Sequence, residues 1–226
     1  MDERAESADG PSARRGGCAV RGALVTALVV AAAAGGLATP APASATPHWY
    51  GNGQLITTPV RALTRARLGQ LLFNFSTGTA TCSVKGTDFV SNPSSGEAGI
   101  DEATGFSAKH CEESAESPCG SVGEEELHIG ALGLPWRSHL EESGLGIRDV
   151  FEGVMLEARC TKSRAKGGKG GISLGVYSGT LTAKAGNSVL EFEAGGGLTG
   201  GEFGPLTVTG TETLVGKGKA KQITAA

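Results

Sequence analysis

With 226 residues, of which 39% are hydrophobic and 19% charged, the chain is long and apolar enough to bury a core and is not a charge-driven disordered polymer. Its 37 glycines argue for many turns and bulges and against long helices. A net charge of -3 gives no footprint for non-specific nucleic-acid binding, so no nucleic-acid partner is expected.

The chain opens on a targeting pattern. Arg14, Arg15 and Arg21 precede the apolar run from Ala23 to Ala34, then Gly35-Gly36, Pro40, Pro42 and the small-residue site Ala43-Ser44-Ala45. This order predicts a signal peptide over residues 1–45, cleaved after Ala45. About twelve strongly apolar residues fall short of the roughly twenty that span a bilayer, so no stable membrane span is expected once the signal is removed. Cys18 precedes the apolar run and is not placed as a lipoprotein cysteine. Cleavage removes four of the 23 acids and four of the 20 bases and leaves the net charge unchanged. Residues 46–226 then read as a single domain, secreted or associated with the cell envelope.

Within that domain, extended segments follow one another. His48-Trp49-Tyr50, Gly51-Asn52-Gly53 and Gln54-Leu55-Ile56 predict a hairpin, because Asn-Gly supplies the positive φ angles of a tight reversal. Leu71, Phe73 and Phe75 alternate with polar residues, and Gly69 just before them marks a candidate bulge. Alternation also predicts strands at Thr79–Lys85, Thr104–His110, Glu126–Leu132, Val150–Cys160 and Ile172–Thr182, around Leu190-Phe192 and Leu206-Val208, and in the short 221–224 segment. Pro135 to Glu142 is the one helix candidate, with proline at a first position. The fold class expected is all-β: an antiparallel β-sandwich or partly closed β-barrel, stapled by disulfides.

Cys82, Cys111, Cys119 and Cys160 are an even set in an exported domain and predict two disulfides. Alternation places Cys82 with Ala80 and Val84, and Cys160 with Val154, Leu156 and Ala158, so both point inward. Cys111 falls on the parity opposite to Phe106 and Ala108. The expected pairs are therefore Cys82 with Cys160 and Cys111 with Cys119.

No motif assembles a catalytic, cofactor or metal site, and none is expected. Gly171-Ile172-Ser173-Leu174-Gly175 matches the pattern of a nucleophile elbow, but the following Val176–Thr182 segment is rich in strand formers where an elbow requires a helix. His48, His110, His128 and His139 are dispersed. Carboxylate neighbours such as Glu112-Glu113 and Glu124-Glu125-Glu126 point to opposite faces of a strand and make poor catalytic partners. The candidate ligand contacts are the aromatic Trp49, Tyr50 and Trp136, which suit sugars as well as cores, and the basic Lys162, Arg164, Lys166 and Lys169, which suit anionic envelope polymers.

Taken together, His48-Trp49-Tyr50 with Asn52-Gly53, Asn92-Pro93, Gly133-Leu134-Pro135-Trp136, the four cysteines after the signal and Lys221-Gln222-Ile223-Thr224-Ala225 resemble a family of secreted proteins from high-GC actinobacterial genomes. The resemblance implies export and a β-rich fold, and carries no activity, cofactor or ligand. The expected function is a non-enzymatic extracellular or cell-envelope protein, a binding or structural module whose partner is an envelope polysaccharide or another extracellular protein. The alternative is a secreted hydrolase with a carboxylate-based site assembled by folding. A third reading is an inhibitor-like protein presenting a Cys111–Cys119 loop.

Overall fold

The computed structural model describes residues 45–114, 119, 126–161, 171–193, 197–218 and 222–226, all within the compact unit Pro42–Ala226. All of the expected signal peptide but Ala45, and the basic candidates Lys162, Arg164, Lys166 and Lys169, lie outside these residues.

Thirteen strands account for almost all of it: β1 Trp49–Gly51, β2 Gln54–Leu55, β3 Val60–Phe75, β4 Gly78–Ser91, β5 Ile100–Glu113, β6 Glu126–Leu132, β7 Trp136–Ser143, β8 Gly146–Thr161, β9 Gly171–Ala185, β10 Val189–Phe192, β11 Gly197–Gly200, β12 Leu206–Gly216 and β13 Ile223–Ala225. Every pairing is antiparallel, and β3 bonds to β4 on one side and to β12 on the other. Following the neighbours around returns to the start, so the large sheet is a closed barrel. It has eight staves. Two of them are interrupted: β6 and β7 run in line between β5 and β8, and β10 and β11 run in line between β9 and β12. Of the two expected architectures the barrel is the one formed, and its ring is complete.

Alternation explains the dry interior. Phe73, Ala80, Cys82, Leu127, Leu156, Leu174, Leu198 and Leu206 are fully or almost fully buried, whereas Arg61, Arg65, Lys85, Lys109, Arg159 and Lys184 face water. A charged outer wall around an apolar filling is the reverse of a barrel set in lipid, which carries its apolar band outside. No helix among the described residues is long and apolar enough to cross a membrane.

Bulges reset the alternation along several staves. The β3 register shifts between Ala66 and Leu71, the segment containing Gly69, so inward residues change from Ala62, Thr64 and Ala66 to Leu71, Phe73 and Phe75. The β4–β5 ladder shifts twice, near Thr104 and near His110. His110 takes a positive φ of 52°, and this second shift turns Cys111 towards Cys82. The disulfides are Cys82–Cys111 and Cys119–Cys160, so the four cysteines are all bonded but the expected partners are exchanged. Both predicted inward cysteines do point inward. The error lay in carrying one parity through the bulge, and with it the Cys111–Cys119 loop is lost as a recognition element.

The helix expected over residues 135–142 is the strand β7. It lies between β5 and β8, and Trp136, Ser138 and Leu140 are buried while Arg137 and Glu141 are exposed. Ladder bonds on both sides and a period of two outweigh a start signal for a two-turn helix.

One end of the barrel is closed by the small sheet β2-β1-β13. The expected hairpin is present, with Asn52 and Gly53 at φ 51° and 78°. Asn92 ties it to the barrel rim: its side chain accepts from Trp49 N at 2.7 Å and donates to Trp49 O at 2.7 Å and Ile56 O at 2.9 Å. Trp49 is wholly buried and packs so closely over Gly99 and Leu140 that any side chain at position 99 would collide with its indole.

Candidate functional site

The sequence-derived candidates scatter over the barrel. Trp49 fills the plugged end, Tyr50 is half-buried on the small sheet, and Ser173 stands in β9, where its hydroxyl accepts from Gly175 N at 3.3 Å. That serine is in a continuous strand and not at a strand-to-helix turn, so the elbow reading fails. His110 and His128 flank Glu126 on the outer wall at 3.9 and 3.4 Å, and His139 pairs with Glu141 at 2.9 Å. Among the described residues no group of three or more such side chains is placed to hold a metal ion.

A different set converges inside the barrel. Asp88 of β4, Asp101 of β5, Asp149 of β8 and Glu212 of β12 are all buried, together with Thr64 of β3 and Ser138 of β7. Each occupies an inward position of its strand, where the surrounding pattern is otherwise apolar. Gly86 makes room for Thr64, because a Cβ there would overlap the threonine hydroxyl.

Few hydrogen bonds compensate these acids. Both carboxylate oxygens of Asp101 and of Asp149, Oδ2 of Asp88 and Oε1 of Glu212 have no protein partner. Burial pushes Asp88 up to about 7, Asp149 to about 8 and Glu212 to about 8, and raises Asp101 well above the usual carboxylate range. Asp88 is the hub: its charge adds to the rise at each of the other three. Thr64 tempers the rise at Asp88 and Glu212, and Ser138 does so at Asp149 without reaching hydrogen-bond geometry with either oxygen. In neutral solution Asp149 and Glu212 are therefore held mostly protonated, while Asp88 stands near its midpoint.

A cavity of about 40 Å³ lies beside it. Thr64, Asp88 and Glu212 form its polar side, and Phe106, Trp136, Phe151, Leu181, Leu190 and Phe192 form most of its apolar side. That volume is room for roughly three waters, at about 10–15 Å³ for each. The wall beside it is discontinuous. On β5 the ladder bonds to β7 end at Ala103 opposite Trp136, and those to β6 begin at Ser107 opposite Gly130. Trp136 and the half-buried Phe106 tile this gap with ring centroids 5.9 Å apart, and the Trp136 indole donates to Leu132 O at 2.8 Å.

Of the predicted candidates among the described residues, only Trp136 belongs to this site. The acids were missed because they are far apart in sequence and two of them stand in long strands whose inward parity is visible only once bulges are placed. The available signal was a charged residue on an apolar parity, as Glu212 is among Leu206, Val208 and Leu214. Comparison with protein-family models, with curated proteins and with solved structures finds no match for the chain.

Proposed function

We propose that the chain is an exported, non-enzymatic binding protein whose barrel holds a small ligand in its interior. The carrying observation is the cavity whose polar side is made by Asp88 and Glu212, both with unpartnered oxygens, and whose other side is aromatic and aliphatic. Closed eight-stranded barrels have interiors either filled by side chains or holding one small ligand. Acids without partners inside such a core cost stability, whereas apolar residues of similar size would not. Their presence supports a role in recognition.

The same acids are those a carboxylate hydrolase would need, but the space around them favours binding. Acid–base hydrolysis requires one carboxylate ionised while its partner stays protonated, and room for a scissile bond and a water. The Asp88 charge that raises Glu212 would allow such a split, but about 40 Å³ does not accommodate a sugar or peptide unit. With Trp49 and Trp136 turned inward, the reading also moves away from a polysaccharide stacked on surface aromatics and towards a small solute within the barrel.

The signal pattern, the resemblance to secreted actinobacterial proteins and the two disulfides support delivery outside the cytoplasm or into the envelope. Expression of the full chain in a secreting host tests delivery: the medium should contain a product beginning at Thr46, and an unprocessed chain kept in the cytoplasm would refute it. Binding is tested by following the Trp136 indole resonance against a panel of three- and four-heavy-atom solutes. A resonance unmoved by every member would refute the interior site.

A further inference from the structure

The buried polar side chains among the described residues are Thr64, Ser138 and the four acids, with no lysine, arginine or histidine among them. Taken element by element, β3 presents Thr64, β4 Asp88, β5 Asp101, β7 Ser138, β8 Asp149 and β12 Glu212, while β9 and β10 present Leu181 and Leu190. The interior thus offers up to four negative charges and no countercharge of its own. Beside the two acids that line the cavity stand Phe106 and Trp136, whose ring faces attract cations. Their rings cover the lapse in the β5 ladder, so the cavity lies directly behind the thinnest part of the wall.

We infer that the ligand is a small primary ammonium ion, held with its nitrogen at Asp88 and Glu212 and its carbons against the aromatic side of the cavity. This deepens the reading of an interior binding site and rests on it. An ammonium group carries three N–H donors and no acceptor, which matches the unpartnered oxygens of Asp88 and Glu212 and the Thr64 hydroxyl. The volume sets the size: about three heavy atoms, as in ethylammonium, replace about three waters. The proton balance follows. The amine arrives already protonated, a buried carboxylic acid gives its proton to the solvent, and the resulting carboxylate pairs with the ammonium. Affinity should accordingly rise with pH, by up to about tenfold per unit below the acids' own ionisation.

The test uses the oxidised chain without its signal, titrated calorimetrically with ethylammonium chloride, ethanol, potassium chloride and calcium chloride. Buffers of different ionisation enthalpy count the protons released. Ethylammonium should bind with a dissociation constant in the millimolar range, as about three heavy atoms allow, and should release about one proton. Ethanol, of equal size and neutral, should bind at least about tenfold more weakly, and the D88N/E212Q chain should lose the difference, which is worth a charge-assisted contact. Equal binding of ethanol and ethylammonium without proton release overturns the cationic ligand and leaves the interior site standing. Uptake of calcium or potassium with exclusion of ethylammonium overturns the amine. If none of the four probes binds, both this inference and the interior site fall. Should the double variant not fold, D88N alone gives the same comparison.

Discussion

Asp88 and Glu212, on strands β4 and β12, lie on either side of β3 and share one hydroxyl neighbour, Thr64, which β3 turns inward between them. This arrangement joins two features of the molecule, a closed ring of strands and a polar spot in its apolar filling. The adjacency of β12, β3 and β4 makes the spot: β12 must return beside β3 for Glu212 to share the hydroxyl that Asp88 uses.

Stability should fall as pH rises. Asp88, Asp149 and Glu212 have folded-state values near 7, 8 and 8, against 3.8, 3.8 and 4.5 for the free groups. Between these limits the folded chain holds protons that the unfolded chain has released, so the contribution is full below the unfolded values and is lost as pH climbs through the folded ones. Each group contributes a slope of up to about 1.4 kcal/mol per pH unit. Urea denaturation from about pH 5 to about pH 8 should show a falling midpoint, and Asp149→Asn should flatten the decline by about one group's share. A midpoint that is level or rises over that range contradicts the buried placement of these acids.

Gly86→Ala should be costly although alanine is small. The added methyl would overlap Thr64 Oγ1 and stand 3.1 Å from Gly105 O, so Thr64 must leave its place between Asp88 and Glu212. Overpacking of this kind costs about 1–3 kcal/mol. Pairing the substitution with Thr64→Ala should recover part of the loss in a double-mutant cycle. Additive effects of the two would mean that the methyl and the hydroxyl do not meet.

Most strands were legible from alternation, because a period of two needs only local residues. The hairpin at Asn52-Gly53, the strand from Leu71 and β6 at Glu126–Leu132 are examples. Three things were not. The first half of β3 escaped notice because its inward residues, Ala62, Thr64 and Ala66, are small or polar and alternate with Arg61, Arg65 and Arg67. The strand β7 is preceded by a helix-start proline, Pro135, and only its two neighbours reveal its nature. Bulges were the third: each adds residues without changing composition, so Cys111 kept the wrong parity and Asp101 and Asp149 could not be seen to converge.

The corrected disulfide pairs change the expected energetics. A Cys111–Cys119 bridge would have closed a short loop for about 2.5 kcal/mol, whereas Cys82–Cys111 and Cys119–Cys160 close spans of 29 and 41 residues. By the chain-entropy relation each contributes about 3.5–4 kcal/mol, so the two should be nearly equal. C82S/C111S and C119S/C160S should lower unfolding free energy by similar amounts in denaturant titrations. Peptide mapping of the unreduced protein should yield fragments linked as Cys82–Cys111 and Cys119–Cys160. Recovery of a Cys82–Cys160 fragment would displace the bulge at His110 as the device that turns Cys111 inward.

Asn92→Ala should loosen the plug before it unfolds the barrel. The amide side chain makes three hydrogen bonds, to Trp49 N, Trp49 O and Ile56 O, and all three join the small sheet to the end of β4. Each such bond is worth about 1 kcal/mol net, and the Trp49 N–H left behind has no other acceptor in that position. Loss of about 2–3 kcal/mol is expected, concentrated where the bonds were. Hydrogen exchange should therefore quicken at Trp49, Tyr50 and Leu55 and at Thr224 and Ala225, which pair with them, while Leu127, Ile129 and Leu156 in the barrel wall stay protected. If exchange quickens equally in both regions, the small sheet and the barrel unfold as one unit, and Asn92 is part of the common core instead of a tether between two.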